Sequence, residues 1–225
     1  MIHIEQEPSF VLRRENYKEN SYLLDVFGLN LGYFRACARI PQHQTYRQTN
    51  SYALFSLLHL TGRRKGELAN FWQSDIQCNF LPQVGKDFLN YMYLNEIILT
   101  LLPLDDPAPE LFYQYLCALQ HPAAPALRHF EFALLKHIGL LPDILGKAAF
   151  YKLDCSKGVA VLCPAQQGYS RDVLEALFEG EPDWSHPQTR HLLQNLIKFY
   201  SQRRTNTNTR KIALSLKNLL KPVYK

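Results

Sequence analysis

Long apolar runs are missing from this sequence. Its most hydrophobic window, residues 84–102, is broken by Lys86, Asp87 and Glu96 and by Asn90 and Asn95. Each such charge at a bilayer centre costs roughly 2.5–3.5 kcal/mol, so the window is expected to form a buried helix of a soluble domain rather than a span. The opening residues 1–7 carry Glu5 and Glu7 where an export signal needs positive charge, so nothing suggests export. Cysteine is scarce: Cys37, Cys78, Cys117, Cys155 and Cys163 are odd in number and follow no disulfide-framework spacing. Reduced thiols in a cytoplasm are the expectation. Apolar residues as a whole are not scarce. At 47% hydrophobic and 20% charged, the composition excludes a disordered or low-complexity chain, and 225 residues give room for one or two domains.

Catalytic signatures are missing as well. The sequence holds no Gly-rich phosphate loop ending in Gly-Lys-Ser/Thr, no Gly-x-Ser-x-Gly elbow and no His-Glu-x-x-His. His129-Phe130-Glu131 supplies the first half of a zinc deaminase pattern, but no Pro-Cys-x-x-Cys follows it. Cys155 and Cys163 lack a second cysteine pair, which leaves too few ligands for a structural zinc site. Asp105-Asp106 is a carboxylate pair placed to cap a following helix, with Pro107 in its first turn. The chain is therefore expected not to be an enzyme and to use no cofactor and no metal.

Charge is where the sequence becomes specific. Residues 1–82 hold nine Lys/Arg against seven Asp/Glu, residues 83–197 eight against thirteen, and residues 198–225 eight against none. A cationic end on an acidic middle points to a polyanion such as nucleic acid; a solvated basic tail with no partner is the competing reading.

The periodicity divides the chain near residue 80. Before it, residues 33–40 alternate, placing Phe34, Ala36, Ala38 and Ile40 on one face and Tyr33, Arg35, Cys37 and Arg39 on the other. Similar runs at 9–13, 21–27, 52–60 and 68–73, punctuated by Gly28, Gly32, Pro41 and Gly62 to Gly66, predict five short strands. A small closed barrel of the OB-fold type accommodates them over residues 1–80. After it the period is helical. One stripe runs through Leu111, Phe112, Tyr115, Leu116 and Leu119, and another through Leu127, Phe130, Leu134 and Ile138 to a stop at Gly139. Helices are also predicted at 170–179, 185–200 and 209–221. Proline and glycine interrupt the pattern at about 140–169, which reads as a small irregular insertion, with a short strand possible at 159–163. The fold class is thus α+β, an OB-fold barrel followed by a helical domain over residues 81–225.

Within that frame the candidate site is a binding surface. Arg63, Arg64 and Lys65 lie between two glycines at an expected hairpin tip, and Arg35 and Arg39 share a strand face with Tyr33. Charge with aromatic surface suits single strands, which are tracked along the backbone and stacked at the bases. A plain solvated face, with Tyr33 packed on a neighbour, is the alternative. Phe71 and Trp72 lie near the same hairpin and are not assigned to the site, because tryptophan is more often core than platform. The connector at 201–211, with Arg203, Arg204, Arg210 and Lys211 and no apolar residue, can reach a phosphate backbone.

Three ordered stretches resemble the RecO family of DNA repair and recombination mediators. The first is Phe10-Val11-Leu12-Arg13-Arg14 with Tyr17-Lys18-Glu19-Asn20-Ser21, Leu23-Leu24-Asp25-Val26-Phe27, Gly32 and Arg35. The second is Tyr93-Leu94-Asn95-Glu96-Ile97-Ile98-Leu99, running on through Leu101-Leu102-Pro103, Asp106-Pro107 and Pro109-Glu110-Leu111-Phe112 to Tyr115-Leu116. The third is Leu127-Arg128-His129-Phe130-Glu131-Phe132-Ala133-Leu134-Leu135, which is similar to the family's helix beginning Leu-Arg-Arg-Phe-Glu.

The resemblance implies an amino-terminal OB-fold, a helical domain with an insertion, and a non-enzymatic role at the bacterial nucleoid. Proteins of this kind bind single- and double-stranded DNA, anneal complementary strands, engage the acidic tail of single-strand binding protein, and work with RecR to load RecA. It also implies that Arg128, with Lys136 as a second candidate, takes the carboxylate of that tail, the alternative being that Arg128 caps or salt-bridges its own fold. The chain departs from the family in three places. Many members carry four zinc cysteines in the insertion, where this chain has Cys155 and Cys163. Ile40-Pro41-Gln42-His43-Gln44 follows Arg39 where a basic cluster is common, and Arg203 and Arg210 match terminal basic residues in character rather than in register. The other functional class is a protein-interaction scaffold whose barrel binds partner subunits rather than DNA.

Overall fold

The computed structural model describes residues 1–39, 51–81 and 85–204. Five strands form the amino-terminal part: β1 (Ile2–Asn16), β2 (Ser21–Gly28), β3 (Gly32–Arg39), β4 (Ser56–Lys65) and β5 (Leu68–Asn79). They close into a barrel in the order β1-β2-β3-β5-β4, with β3 and β5 parallel and every other pair antiparallel. One long strand makes the closure possible. The first half of β1 pairs with β4 and the second with β2, and breaks in register after Ile4 and after Val11 let it bend between them.

The alternation read from the sequence holds inside the barrel. Phe34, Ala36 and Ala38 point inward with Val11, Leu24, Val26, Leu58, Leu60, Ala69 and Phe71. A second apolar cluster crosses from barrel to helices. Phe10 and Phe27 pack on Phe112 and Tyr115, with Phe10 ring centroids 5.1 Å and 4.9 Å from those two. Buried Asn95 secures the same seam, donating to the Leu12 carbonyl at 2.8 Å and accepting from the Tyr115 hydroxyl at 2.6 Å.

The helical part begins with α1 (Lys86–Leu101), α2 (Pro109–Gln120) and α3 (Ala124–His137). Helix α2 starts later than the sequence predicts: Ala108 is its cap residue and Pro109 its first-turn proline. Asp105 and Asp106 do not cap it. They lie outside the helix, where Asp105 meets Arg64 and Asp106 meets His137 at 3.0 Å. Helix α3 ends as expected, with Gly139 at φ +67° just beyond it. The insertion is more regular than its composition suggests. Strands β6 (Asp143–Ile144), β7 (Phe150–Asp154), β8 (Val161–Ala165) and β9 (Tyr169–Ser170) form a sheet in the order β6-β8-β7-β9. Its buried Tyr151, Leu162 and Tyr169 join the main core. Helices α4 (Arg171–Glu179) and α5 (Pro187–Arg204) complete the described chain. The helix expected at 209–221 lies outside it. Among the described residues, no helix is long and apolar enough to cross a membrane.

Barrel and helices meet most tightly at the start of β3. Gly32 has φ +69°, and a methyl group there would collide with the Asp106 carbonyl. Next to it the Asp105 amide donates to the Tyr33 carbonyl at 2.7 Å. Gly32→Ala should therefore cost about 2–4 kcal/mol, combining backbone strain with overpacking. Gly66→Ala, at φ +76° with nothing within 4 Å, should cost only about 1 kcal/mol. Urea unfolding midpoints of the two variants would measure this, and equal losses would contradict it.

Candidate nucleic-acid interface

The outer face of β3, β4 and β5 carries four exposed cations of the barrel, while Arg13 and Arg14 on β1 and Lys18 after it are exposed elsewhere. Because β3 and β5 run parallel with Arg35 opposite Leu68 and Cys37 opposite Asn70, and β4 sets Arg63 opposite Asn70, these outward positions form cross-strand rows. Arg35, Arg39, Arg63 and Lys65 are all exposed there. Arg39, Arg63 and Lys65 have no ion-pair partner among the described residues. Arg35 lies 3.5 Å from the Asp25 carboxylate, which Arg13 also contacts at 2.7 Å. Glu15 also lies 3.6 Å from Arg13, so two carboxylates face these two guanidinium groups and Arg35 is partly compensated.

Two residues expected on this face are elsewhere. Tyr33 is only 5% exposed, with its hydroxyl donating to Asp25 at 2.8 Å. Burial, reinforced by the Asp25 charge, pushes its phenol up to about 12, so it stays neutral. It sits at the end of β3 that abuts the helices, where its backbone pairs with Leu104 and its ring joins the apolar cluster shared with the helices. Tyr33 is thus a covered residue and not an open stacking surface. Arg64 points away from its neighbours, because successive strand residues face opposite sides. Its guanidinium grips the Asp105 carboxylate with two bonds of 2.5 and 2.7 Å, linking β4 to the connection before α2. Residues 63–65 are also the last rungs of β4 rather than a swinging tip, and the turn falls at Gly66 and Glu67.

The carboxy-terminal cations differ in the same way. Helix α5 runs on through Arg203 and Arg204, so these two are not in a loose connector. Arg203 lies over the Phe199 ring at 5.5 Å and donates to the Gly158 carbonyl, and Arg204 donates to the Leu101 carbonyl. Each spends donors on the fold, yet neither meets a carboxylate among the described residues. Arg210 and Lys211 lie outside the described residues.

On α3, Lys136 is exposed while Arg128 is not. Arg128 is 6% exposed, and its Nη2 lies 2.7 Å from Glu131, which is fully buried. The open guanidinium anticipated beside a groove is therefore a covered one. Among the described residues its Nε and Nη1 have no hydrogen-bond partner, and neither does Glu131 Oε2. Tyr93 donates to Glu131 Oε1 at 2.5 Å. Burial pushes the Glu131 carboxyl up to about 7, against the pull of Arg128 and Tyr93.

Residues 88–204 match the family described as Recombination protein O C terminal. The chain is also 31% identical over 194 residues to the DNA repair protein RecO of Pseudomonas putida, covering 80% of this chain and 83% of that protein. The RecO of Pseudomonas paraeruginosa is 32% identical over 196 residues, covering 80% and 81%. That of Polaromonas naphthalenivorans is 33% identical over 153 residues, covering 65% and 61%. The chain belongs to the RecO family of DNA repair proteins. A coverage of 80% cannot come from the helical part alone, so the relationship extends into barrel strands. In RecO terms, the matched carboxy-terminal region begins in α1 and ends with α5, and the cationic strand face lies before it.

Sequence reasoning passed over two residues of this interface. Asp25 controls how much charge Arg13 and Arg35 present, and its signal was the inward-outward parity of β2 against β3, where Asp25 pairs with Arg35. Trp72 is 52% exposed while Phe71 beside it is buried, as parity on a strand also implies. For the buried α3 pair a pH effect is expected. A carboxyl whose pKa is higher folded than unfolded binds its proton more tightly when folded. Its stabilising effect is complete below about pH 4 and disappears as the pH rises toward 7. The stability of the native chain relative to Glu131→Gln should fall across that interval and level off above it. A constant difference in thermal unfolding between pH 5 and 8 would contradict this.

Proposed function

We propose that this RecO-family chain is an ATP-independent recombination mediator that holds DNA strands against the cationic face of its barrel. The observation that carries the reading is the set of exposed cations Arg39, Arg63 and Lys65, without an ion-pair partner among the described residues, on one sheet face, with Arg35, partly compensated by Asp25, beside them. Arg203 and Arg204 add charge at the end of α5, and Arg210 and Lys211 belong to the basic segment that follows. Neutralising phosphates on such a face lowers the repulsion between two strands, which favours annealing of complementary partners. Double-stranded DNA presents the same phosphates and binds by the same means. No covalent step and no nucleotide enter this scheme, which places the protein at the nucleoid as a binding factor.

Recruitment by the acidic tail of single-strand binding protein, and cooperation with RecR in loading RecA, complete the proposed role. Arg128 supports the first of these. Two of its nitrogens have no acceptor among the described residues, and a terminal carboxylate would supply one once the side chains covering it move aside. Lys136, exposed two turns along α3, would meet the acidic residues that precede that terminus.

Anisotropy titration of an unstructured oligonucleotide across a salt series tests the barrel. Log affinity should fall with log salt by roughly 0.7 per phosphate contact, and changing Arg39, Arg63 and Lys65 together to alanine should lower that slope by about 2. Arg64→Ala should leave the slope alone and lower stability instead, because its charge is already taken by Asp105. A native chain whose binding ignores salt would overturn the reading. If the barrel serves as a protein scaffold, the triple variant would anneal strands at the native rate. For the tail, Arg128→Ala should weaken binding of an acidic peptide with a free terminal carboxylate by about tenfold to a hundredfold. Amidating the peptide should reproduce the loss in the native chain.

A further inference from the structure

We infer that Trp72 is the base-stacking residue of this interface, a platform for one base of a single strand; the inference rests on the barrel-face reading and deepens it. Trp72 is the residue that the β4–β5 ladder skips. Thr61 pairs with Gln73 and Gly62 with Phe71, so Trp72 is the extra residue of a bulge. A bulge re-aims a side chain out of the regular pleat. On the other side of β5 the parallel ladder ends with Ala38 opposite Phe71, which brings Arg39, the next residue of β3, level with Trp72. Exposed Arg63, opposite Asn70 on β4, lies in the adjoining row.

The two tryptophans of the chain differ in a telling way. Trp184 stacks on His129 at 4.8 Å and packs on Phe132. Trp72 is 52% exposed and has no ring partner and no cation over it among the described residues. An exposed tryptophan can also anchor a protein partner, but such anchors work in an apolar, desolvated surround. Here the neighbouring outward residues are Thr61, Asn70, Gln73, Arg39 and Arg63. Two nearby acids are present. Asp75 accepts from Gln73 at 2.9 Å and Gln6 at 3.4 Å, and Glu67 sits at the β4–β5 turn. An open indole flanked by unpaired guanidinium groups on a polar face fits a nucleobase with phosphates on either side. Stacking needs an unpaired base, so the ligand class is a single strand.

Native protein is titrated with an oligothymidylate, with an abasic oligomer of the same length, and with a duplex, alongside Trp72→Ala and Trp72→Phe. Intrinsic fluorescence should be quenched by oligothymidylate in the native chain and not by the abasic oligomer. Trp72→Ala should weaken oligothymidylate binding by about tenfold to a hundredfold while keeping the salt slope, since no phosphate contact is lost. Trp72→Phe should recover most of the affinity without the quench, and duplex binding should change little. Equal affinity of native and Trp72→Ala for oligothymidylate, or an equal quench by the abasic oligomer, would overturn the inference. So would a loss confined to a protein partner. Failure of the barrel-face reading looks different, because the native chain would then show no salt-dependent binding at all.

Discussion

The aromatic seam between barrel and helices is the contact on which the rest of this molecule depends. Phe10 and Phe27 leave the barrel on the side away from its inner core and meet Phe112 and Tyr115 of α2, while Asn95 bonds to both halves. Apolar burial there is non-directional, so direction has to come from polar and steric detail. Gly32 against the Asp106 carbonyl, the Asp105 amide on Tyr33, and Arg64 on the Asp105 carboxylate provide it at the neighbouring edge. One side of the barrel is thereby spent on the fold. The outward faces of β3, β4 and β5 carry the unpaired cations on which the proposed DNA-binding role rests.

That division explains the unequal fates of chemically similar residues. Arg63 and Arg64 are neighbours in sequence, yet strand parity sends one to water and the other to a carboxylate forty-one residues away. Arg35 and Arg39 lie on one face of β3, yet only Arg35 reaches Asp25. An exposed cation without a carboxylate is free to neutralise a phosphate, and the counterions this releases from the nucleic acid are what make the contact favourable. A cation already paired with a carboxylate neutralises little. The buried Arg128–Glu131 pair follows a different logic, because low local polarity raises the cost of every unmet donor and of the carboxylate charge itself.

Much of the architecture was written in periodicities that need no tertiary context. The inward set Phe34, Ala36 and Ala38, the stripe through Leu111 and Tyr115, and the stop at Gly139 each follow from local geometry, and each lies where the alternation or the helical repeat puts it. The insertion was less legible, since strands of two to five residues are too short to show a period. The start of α2 was misjudged because Asp105 and Asp106 look like caps in isolation, whereas both carboxylates are claimed by distant partners. The sequence leaves Trp72 unassigned for a related reason: a bulge is a mismatch between two strands, and neither strand alone records it.

The order of elements, the division near residue 80, the excess of positive charge toward the carboxy terminus and the family relationship all belong to the chain as a linear object, because each rests on composition or on neighbours within a few residues. Which arginines carry usable charge belongs to the folded object. Arg39 and Arg63 are open, Arg64 and Arg128 are committed, and Tyr33 is covered, because long-range packing decides where each carboxylate comes to rest and which strand face meets water.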